Sequence, residues 1–308
     1  MDMLNNEKDA VELFIYADEI KQHINKFGEN WAYIGVLAIP KDKVRTAYNR
    51  LMEARNEVQY FGEVHFSGLR AKKIKSPRVI LAGRWLDLIL NDTDKCFYFY
   101  VLGINLTNLT HDVFADTKTF SSIYNRFFRT AVSFVLNGYF GLYKKVNVIG
   151  ILHDAGNMEH DDYFDWHTIW KIDNDDRYPN ICFNNQLILF IDSNHEKEKT
   201  YPAHSHFVQL IDVVLGTLAY SLDYRVQGCG ADYLAEKFSP LVIRLTDNKT
   251  RNNPNSRYKY HRKYSISFFP SERLSTEMLR DDTQRCVSTF YHNRKLLWSE
   301  RCQCELEF

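Results

Sequence analysis

Three short apolar runs of this chain end in acidic residues, and this recurrence constrains the fold more than any other feature of the sequence. The runs, at residues 11–17, 146–152 and 186–191, are rich in β-branched and aromatic residues, which is typical of buried strands. Their acidic ends are Asp18 with Glu19, Asp154, and Asp192. Because strands of one sheet that end in acids place those acids along one edge, we expect these carboxylates to converge.

Strand-like runs alternate with segments of helical periodicity, and this order predicts an α/β fold. Further strands are predicted at 30–39 and 96–106, helices at 41–57, 77–90, 120–143, 159–176, 202–220 and 233–245, and extended segments at 58–69 and 258–269. The link between the first two strands is short enough for an antiparallel pair. We therefore expect an α/β domain over residues 8–225, followed by a smaller α+β extension over residues 226–308.

The composition limits the class of protein. Lysine plus arginine and aspartate plus glutamate both total 39, so a polyanionic partner must be held by a local patch. The N-terminus is polar and acidic, unlike a signal peptide, and Gln209 and Asp212 interrupt the longest apolar run, which disfavours a membrane span. The six cysteines include no Cys-x-x-Cys pair, so neither a zinc knuckle nor a disulfide framework is indicated. We expect a cytoplasmic protein.

The most anomalous acidic residue is Asp212, which lies inside an apolar helical segment. A buried, isolated carboxylate is costly, so a cation should face it. Gln209 and Gly216 share its helix face, and the glycine would let that face pack close to a sheet. In the predicted extended segment, Glu63 and His65 are two residues apart and would point to one side.

Converging carboxylates repel one another, and a hard divalent cation relieves that repulsion. Mg²⁺ and Mn²⁺ prefer oxygen ligands, and two such ions about 4 Å apart support phosphodiester hydrolysis. The pattern of acids therefore suggests a nuclease that uses Mg²⁺ or Mn²⁺.

Several sequence elements occur in the order found in one known family. The elements "IYADE", "GEVHF", the strand ending in "HD", and "FIDSN" followed by "FVQLIDVVLG" resemble the skeleton of the domain-of-unknown-function 3800 family over about residues 13–220. That family is similar to ribonuclease H-like proteins. The resemblance implies a mixed sheet flanked by helices and a metal site formed by Asp18, Glu63, Asp154 and Asp212. We expect Glu19, His65, Asp192 and Gln209 to be auxiliary residues of that site. The chain departs from the family pattern at Ile20, Asn194 and Ile211, and none of these departures removes a carboxylate.

Each candidate also has a structural interpretation. Asp18 or Glu19 could cap a helix or form a turn, and Asp154 and Asp192 could be turn residues. Asp212 could pair with a core histidine or arginine, and His65 could be a core histidine. At the level of function, the alternative is a non-catalytic module that binds nucleic acid or a protein partner. An aspartyl phosphatase is disfavoured because Ile20 stands where its second aspartate would be.

A basic segment near the C-terminus is the candidate nucleic-acid surface. Its cations alternate with tyrosines, which would supply phosphate pairing and base stacking together. The cations are Arg251, Arg257, Lys259, Arg262 and Lys263. The alternative is an edge strand that is protected from aggregation by its charges. The sequence leaves DNA versus RNA, and a homo-oligomer or protein partner, open.

Overall fold

The protein has an α/β fold in which helices flank a mixed sheet of seven strands, as the sequence predicts. The structure, a computed structural model, describes residues 8–25, 27–109, 120–155, 164–175, 179–185, 187–222, 229–246 and 263–270. The strands are β1 (Lys8–Ile24), β2 (Asn30–Pro40), β3 (Tyr98–Asn105), β4 (Tyr143–Asp154), β5 (Ile181–Phe183), β6 (Leu189–Ile191) and β7 (Tyr264–Phe269). The helices are α1 (Val44–Val58), α2 (Phe66–Leu69), α3 (Pro77–Leu90), α4 (Phe120–Phe140), α5 (Phe164–Asp173), α6 (Pro202–Leu222) and α7 (Cys229–Thr246).

The sheet has the strand order β5-β4-β1-β2-β3-β7. β5 pairs with the first half of β4, and β6 pairs with the last three residues of β4. β1 and β2 form the predicted antiparallel pair, and β3 continues antiparallel to β2. β4 is parallel to β1, and both β5 and β6 are parallel to β4. The pairing of β1 with β4 ends at Ala17 and His153, whereas β1 continues beside β2 to Ile24.

Helices cover both faces of the sheet, so alternate residues of the central strands enter two separate cores. Tyr16 joins the core formed with α1, α2, α3, α6 and α7. Its neighbours Ile15 and Ala17 join the core formed with α4 and α5. Burial on both faces explains why β2 is apolar almost throughout instead of alternating with polar residues.

Helix α6 is the central helix of the first core. It is long and apolar enough to cross a membrane by composition, but 94% of its apolar window is buried inside the fold, as in the core helix of a soluble protein. At Gly216 a Cβ atom would lie 2.2 Å from Cγ of Phe66. This glycine therefore allows the short helix α2 to pack directly on α6.

The prediction of an extended segment at 58–69 is wrong. Its first residue ends α1, residues 59–65 form a loop, and α2 follows. Arg55 donates two hydrogen bonds, to the carbonyl oxygens of Tyr60 and Gly62, so the loop backbone is satisfied by a side chain and not by a neighbouring strand.

The described part of the predicted C-terminal extension shares the sheet and core of the preceding residues. β7 is parallel to β3, from Phe99 paired with Tyr264 to Ile104 paired with Phe269. Helix α7 packs against α6 and α3 in the first core. Within the described residues, the extension therefore completes the fold and does not form a core of its own.

Candidate functional site

Three predicted acids meet where β4 ends beside β1. Asp18 lies one residue beyond the last pair between these strands, and Asp154 is the last residue of β4. Asp18 has the same parity along β1 as Tyr16, so its side chain faces α6, which carries Asp212. The carboxyl groups of Asp18 and Asp212 share a hydrogen bond, and both residues are buried.

Burial and mutual repulsion raise the pKa values of these acids. The pKa of Asp18 is raised well above its ordinary value, first by burial and then by the charges of Asp212, Glu19 and Asp154. Burial also raises the pKa of Asp212, although His65 and the Phe66 amide oppose the increase. The hydrogen bond with Asp18 also lowers the pKa of Asp212, but less than burial raises it. In the metal-free protein, both carboxyl groups are therefore harder to ionise than an ordinary aspartate.

Glu63 joins the same site through Ser193. The Ser193 hydroxyl donates to Oε1 of Glu63 at 3.1 Å and also lies within hydrogen-bonding reach of Asp154. Burial raises the pKa of Asp154 to about 6, and the Ser193 hydrogen bond moderates this effect. Ser193 follows β6, whose parallel pairing with β4 brings it next to Asp154. The four predicted ligands therefore form one connected site.

A buried polar network fixes the loop that carries Glu63. Gln209 Oε1 accepts hydrogen bonds from Nη2 of Arg55 at 2.9 Å and from the amide of Val64 at 3.0 Å. Gln209 Nε2 donates to the carbonyl of Ser193 at 2.5 Å and lies 3.2 Å from Nδ1 of His195. The His195 ring also forms a hydrogen bond with the Phe61 backbone. Gln209, an auxiliary residue in the sequence prediction, thus links both loops of the site.

Arg55, Ser193 and His195 were not identified from the sequence. Arg55 is fully buried in the last turn of α1, beside the loop of residues 59–65 that carries Glu63. A basic residue beside the buried face of a helix was the signal that could have singled it out. Ser193 lies inside the quoted "FIDSN" element, but its hydroxyl could be assigned a partner only once Glu63 was placed.

His65 contacts Asp212 and is not a core histidine. Its Nδ1 lies 3.3 Å from Oδ2 of Asp212, and the side chain is 48% exposed. The Phe66 amide donates to the same carboxylate oxygen at 2.7 Å. The histidine and the amide together are the partners that the burial of Asp212 requires, and the exposed ring lies at the surface of the site.

Asp192 and Glu19 have different surroundings from the other acids. Asp192 Oδ1 accepts a hydrogen bond from the amide of Asn194 at 2.8 Å, which is the geometry of a turn residue. Glu19 projects from the opposite face of β1, where its Oε2 lies 3.5 Å from Nε2 of His153. Tyr124 contacts the same nitrogen at 2.6 Å. Glu19 therefore acts on the Asp18 site through its charge and not as a member of the cluster.

The predicted basic segment lies mostly outside the described residues. Arg251, Arg257, Lys259 and Arg262 belong to this undescribed part. Lys263 is described: its Nζ lies 2.9 Å from Oδ2 of Asp92, and its side chain is 21% exposed. It directly precedes β7, three strands from β1 and thus about 14 Å across the sheet. Its role in binding nucleic acid stays a prediction.

The site has the donors of a divalent-cation site, but they are not gathered around a common point. Carboxylate oxygens are the ligands that Mg²⁺ and Mn²⁺ prefer, and a cation would relieve the repulsion that raises the pKa of Asp18. Lysines and arginines of the described residues form no ion pair with Asp18, Asp154 or Asp212. In the same part of the chain, no group of three or more His, Cys, Asp or Glu side chains is close enough to hold a metal ion.

Comparisons with known proteins gave no relative: no protein-family model matches the chain, and no curated protein matches it significantly.

Proposed function

We propose that the protein is a divalent-metal-dependent nuclease that hydrolyses phosphodiester bonds of DNA or RNA. The observation that carries the proposal is the convergence of Asp18, Asp154 and Asp212, which are distant in sequence, at the end of β4. Two of these mutually repelling acids are buried and Asp154 is half-buried, with no lysine or arginine partner among the described residues; this destabilises the metal-free fold and is the pattern expected of a functional site.

The sheet topology supports a ribonuclease H-like architecture. Reading across the sheet, β3, β2 and β1 are successive antiparallel neighbours, and β4 follows β1 in parallel. The ribonuclease H-like resemblance implies a mixed sheet flanked by helices, with metal-binding acids on the first strand, the fourth strand and a late helix. Asp18, Asp154 and Asp212 occupy those three elements.

The chemistry divides between a cation and the chain. Asp18, Glu63, Asp154 and Asp212 would hold Mg²⁺ or Mn²⁺. A bound ion of this kind activates water and neutralises charge on the phosphate. Nδ1 of His65 lies 3.3 Å from the Asp212 carboxylate and 3.1 Å from the Ser67 hydroxyl, which leaves Nε2 of the exposed ring to contact a substrate or water. Arg55 and Gln209 hold the loop that carries Glu63, so that glutamate does not need to be ordered by substrate.

The proposal is tested by cleavage and by metal binding in the same preparations. Wild-type protein should cleave end-labelled DNA or RNA oligonucleotides with Mg²⁺ or Mn²⁺ and not with EDTA. It should also melt at a higher temperature with the ion, since a ligand at 100 times its Kd adds about 2.7 kcal/mol. Asp18→Asn and Asp212→Asn should lose both effects, whereas Asp42→Asn, at an exposed position, should keep them.

The non-catalytic module makes the opposite prediction. It would bind nucleic acid or a protein partner without cleavage and without stabilisation by divalent ions. If wild-type protein shows neither metal-dependent effect on single-stranded, duplex and hybrid substrates, the nuclease proposal is wrong. Cleavage that survives in Asp18→Asn would exclude this site as its source.

A further inference from the structure

A strongly basic loop lies next to the acidic site and was not identified from the sequence. It connects α2 to α3, and we call it the basic loop. Its cations are Arg70, Lys72, Lys73 and Lys75, and Arg78 follows in the first turn of α3; all five are exposed. Over residues 64–86 the chain has six lysines and arginines and no aspartate or glutamate, although its overall charge is zero. Such a local excess of one sign attracts a polyanion.

The lysines of this loop are available to a ligand. Lys72, Lys73 and Lys75 form no ion pair with the described residues. The loop backbone, by contrast, is fixed against α7: a Cβ atom on Gly230 would lie 2.2 Å from the carbonyl oxygen of Leu69 and 3.0 Å from that of Lys72. An anchored backbone with exposed, unpaired lysines is suited to follow a phosphate chain.

The basic loop is joined to the acidic site by α2. The first residue of this helix, Phe66, donates its amide to Asp212, and Arg70 directly follows the last. Four helical residues rise about 6 Å, so the loop begins within one or two nucleotides of Asp212. A strand held by the loop can therefore reach the acids.

An exposed aromatic residue lies in the loop of residues 59–65, which carries Glu63 and directly precedes α2. Phe61 is 45% exposed, while its backbone is held by His195. Its neighbour Tyr60 contacts Arg78 at the start of α3. Nε of Arg78 donates to the Tyr60 hydroxyl, the guanidinium lies 5.5 Å from the ring centre, and the hydroxyl in turn donates to the carbonyl of Glu63. Phe61 thus presents an exposed ring next to a residue that contacts Arg78, and single-stranded nucleic acid is bound by stacking its bases on such rings.

We propose that the basic loop and Phe61 bind single-stranded nucleic acid, with the lysines on its phosphates and Phe61 on a base, and direct the strand to the acidic site. This inference rests on the proposed function. It favours nucleic acid over an anionic membrane because the cations adjoin the acids, whose charges would repel an anionic membrane surface but would hold the cation needed to cleave a strand.

The test measures binding separately from cleavage. In an Asp18→Asn background without divalent ions, a labelled 12-nucleotide single strand should bind, as measured by fluorescence anisotropy. The Lys72→Gln, Lys73→Gln, Lys75→Gln triple variant should bind at least tenfold more weakly at low salt. The slope of log K against log salt should fall by about 2, since each lost contact to a single strand contributes about 0.7. Phe61→Ala should weaken binding at least fivefold without changing the slope and should abolish quenching of a 2-aminopurine base.

A matched control removes three exposed lysines elsewhere. Lys95, Lys144 and Lys145 lie near the starts of β3 and β4 and can be changed together to glutamine; along β4, Lys145 is about 30 Å from Asp154. This variant should bind as the background protein does. If the loop variant matches the control while wild-type protein still cleaves, the inference is wrong and the nuclease proposal stands. The inference also fails if the background protein binds no nucleic acid, or if the loop lysines are needed only for phosphatidylserine vesicles.

Discussion

Replacing Asp154 with asparagine should stabilise the metal-free protein at neutral pH. Burial raises the pKa of this carboxyl from 3.8 to about 6, so the folded protein ionises it less readily than the unfolded chain does. One pKa unit corresponds to about 1.36 kcal/mol, which makes the cost of the ionised group about 3 kcal/mol above pH 6. Asparagine has nearly the same shape, carries no charge and keeps an oxygen that can accept the Ser193 hydrogen bond.

The sign of the pH dependence follows from linkage. Between about pH 4 and pH 6 the folded protein holds a proton on Asp154 that the unfolded chain has released, so the contribution of this group to stability falls as the pH rises. Above about pH 6 the group is ionised in both states, and its full destabilising effect is present. Below about pH 4 it is protonated in both states and has no effect on stability. The gain from Asp154→Asn should therefore be about 3 kcal/mol at pH 7.5 and close to zero at pH 4.

Denaturant unfolding in EDTA at a series of pH values measures this difference directly. Asp42→Asn, which removes an exposed carboxyl, serves as the control and should show no comparable gain. With Mn²⁺ present the order should reverse, because the variant loses a proposed ligand. A destabilised Asp154→Asn protein in EDTA at pH 7.5, or a gain that does not change with pH, would refute the electrostatic explanation.

Two further substitutions test how the site is held together. Gly216→Ala should lower the free energy of unfolding by about 1 to 3 kcal/mol, because the added Cβ would overpack against Phe66. Displacing Phe66 would also disturb its hydrogen bond to Asp212, so Mn²⁺ binding should weaken. Gly68→Ala, at a position that faces open space, is the control in thermal melts. Gln209→Leu should cost about 1 to 3 kcal/mol in denaturant unfolding, since it leaves Nη2 of the buried Arg55 and the Val64 amide without their acceptor, and a variant as stable as wild type would show that this network does not hold the loop.

The parts of the fold that the sequence predicted are those set by local periodicity. The apolar runs of β1 and β4 and the helical spacing of α6 were evident because both cores require apolar residues at regular intervals. These elements alone bring Asp18, Asp154 and Asp212 together, so three of the four proposed ligands could be placed by sequence. The connection of Glu63 to the others depends on Ser193, which no periodicity identifies.

The segment after α1 was mispredicted because its conformation is set by distant side chains. Its alternating apolar residues resemble a strand, yet Arg55 and Gln209, which are 154 positions apart, bind its backbone groups. A pattern-based prediction cannot weigh such long-range hydrogen bonds. The basic loop was missed for the same reason. Its charges suggest a function only because α2 places the loop beside Asp212, and that placement cannot be read from the sequence.

The alternation of side chains along β1 restricts how this strand can change in evolution. Asp18 faces α6, and Glu19, the next residue, faces the opposite core beside His153. Inserting or deleting one residue between Tyr16 and Asp18 would exchange these two acids, taking the site carboxyl into the apolar core beneath α4. Only insertions or deletions of two residues would keep Asp18 on the α6 side of the strand. We therefore expect the spacing between Tyr16 and Asp18 to be kept in evolution more strictly than the identities of the apolar residues around it.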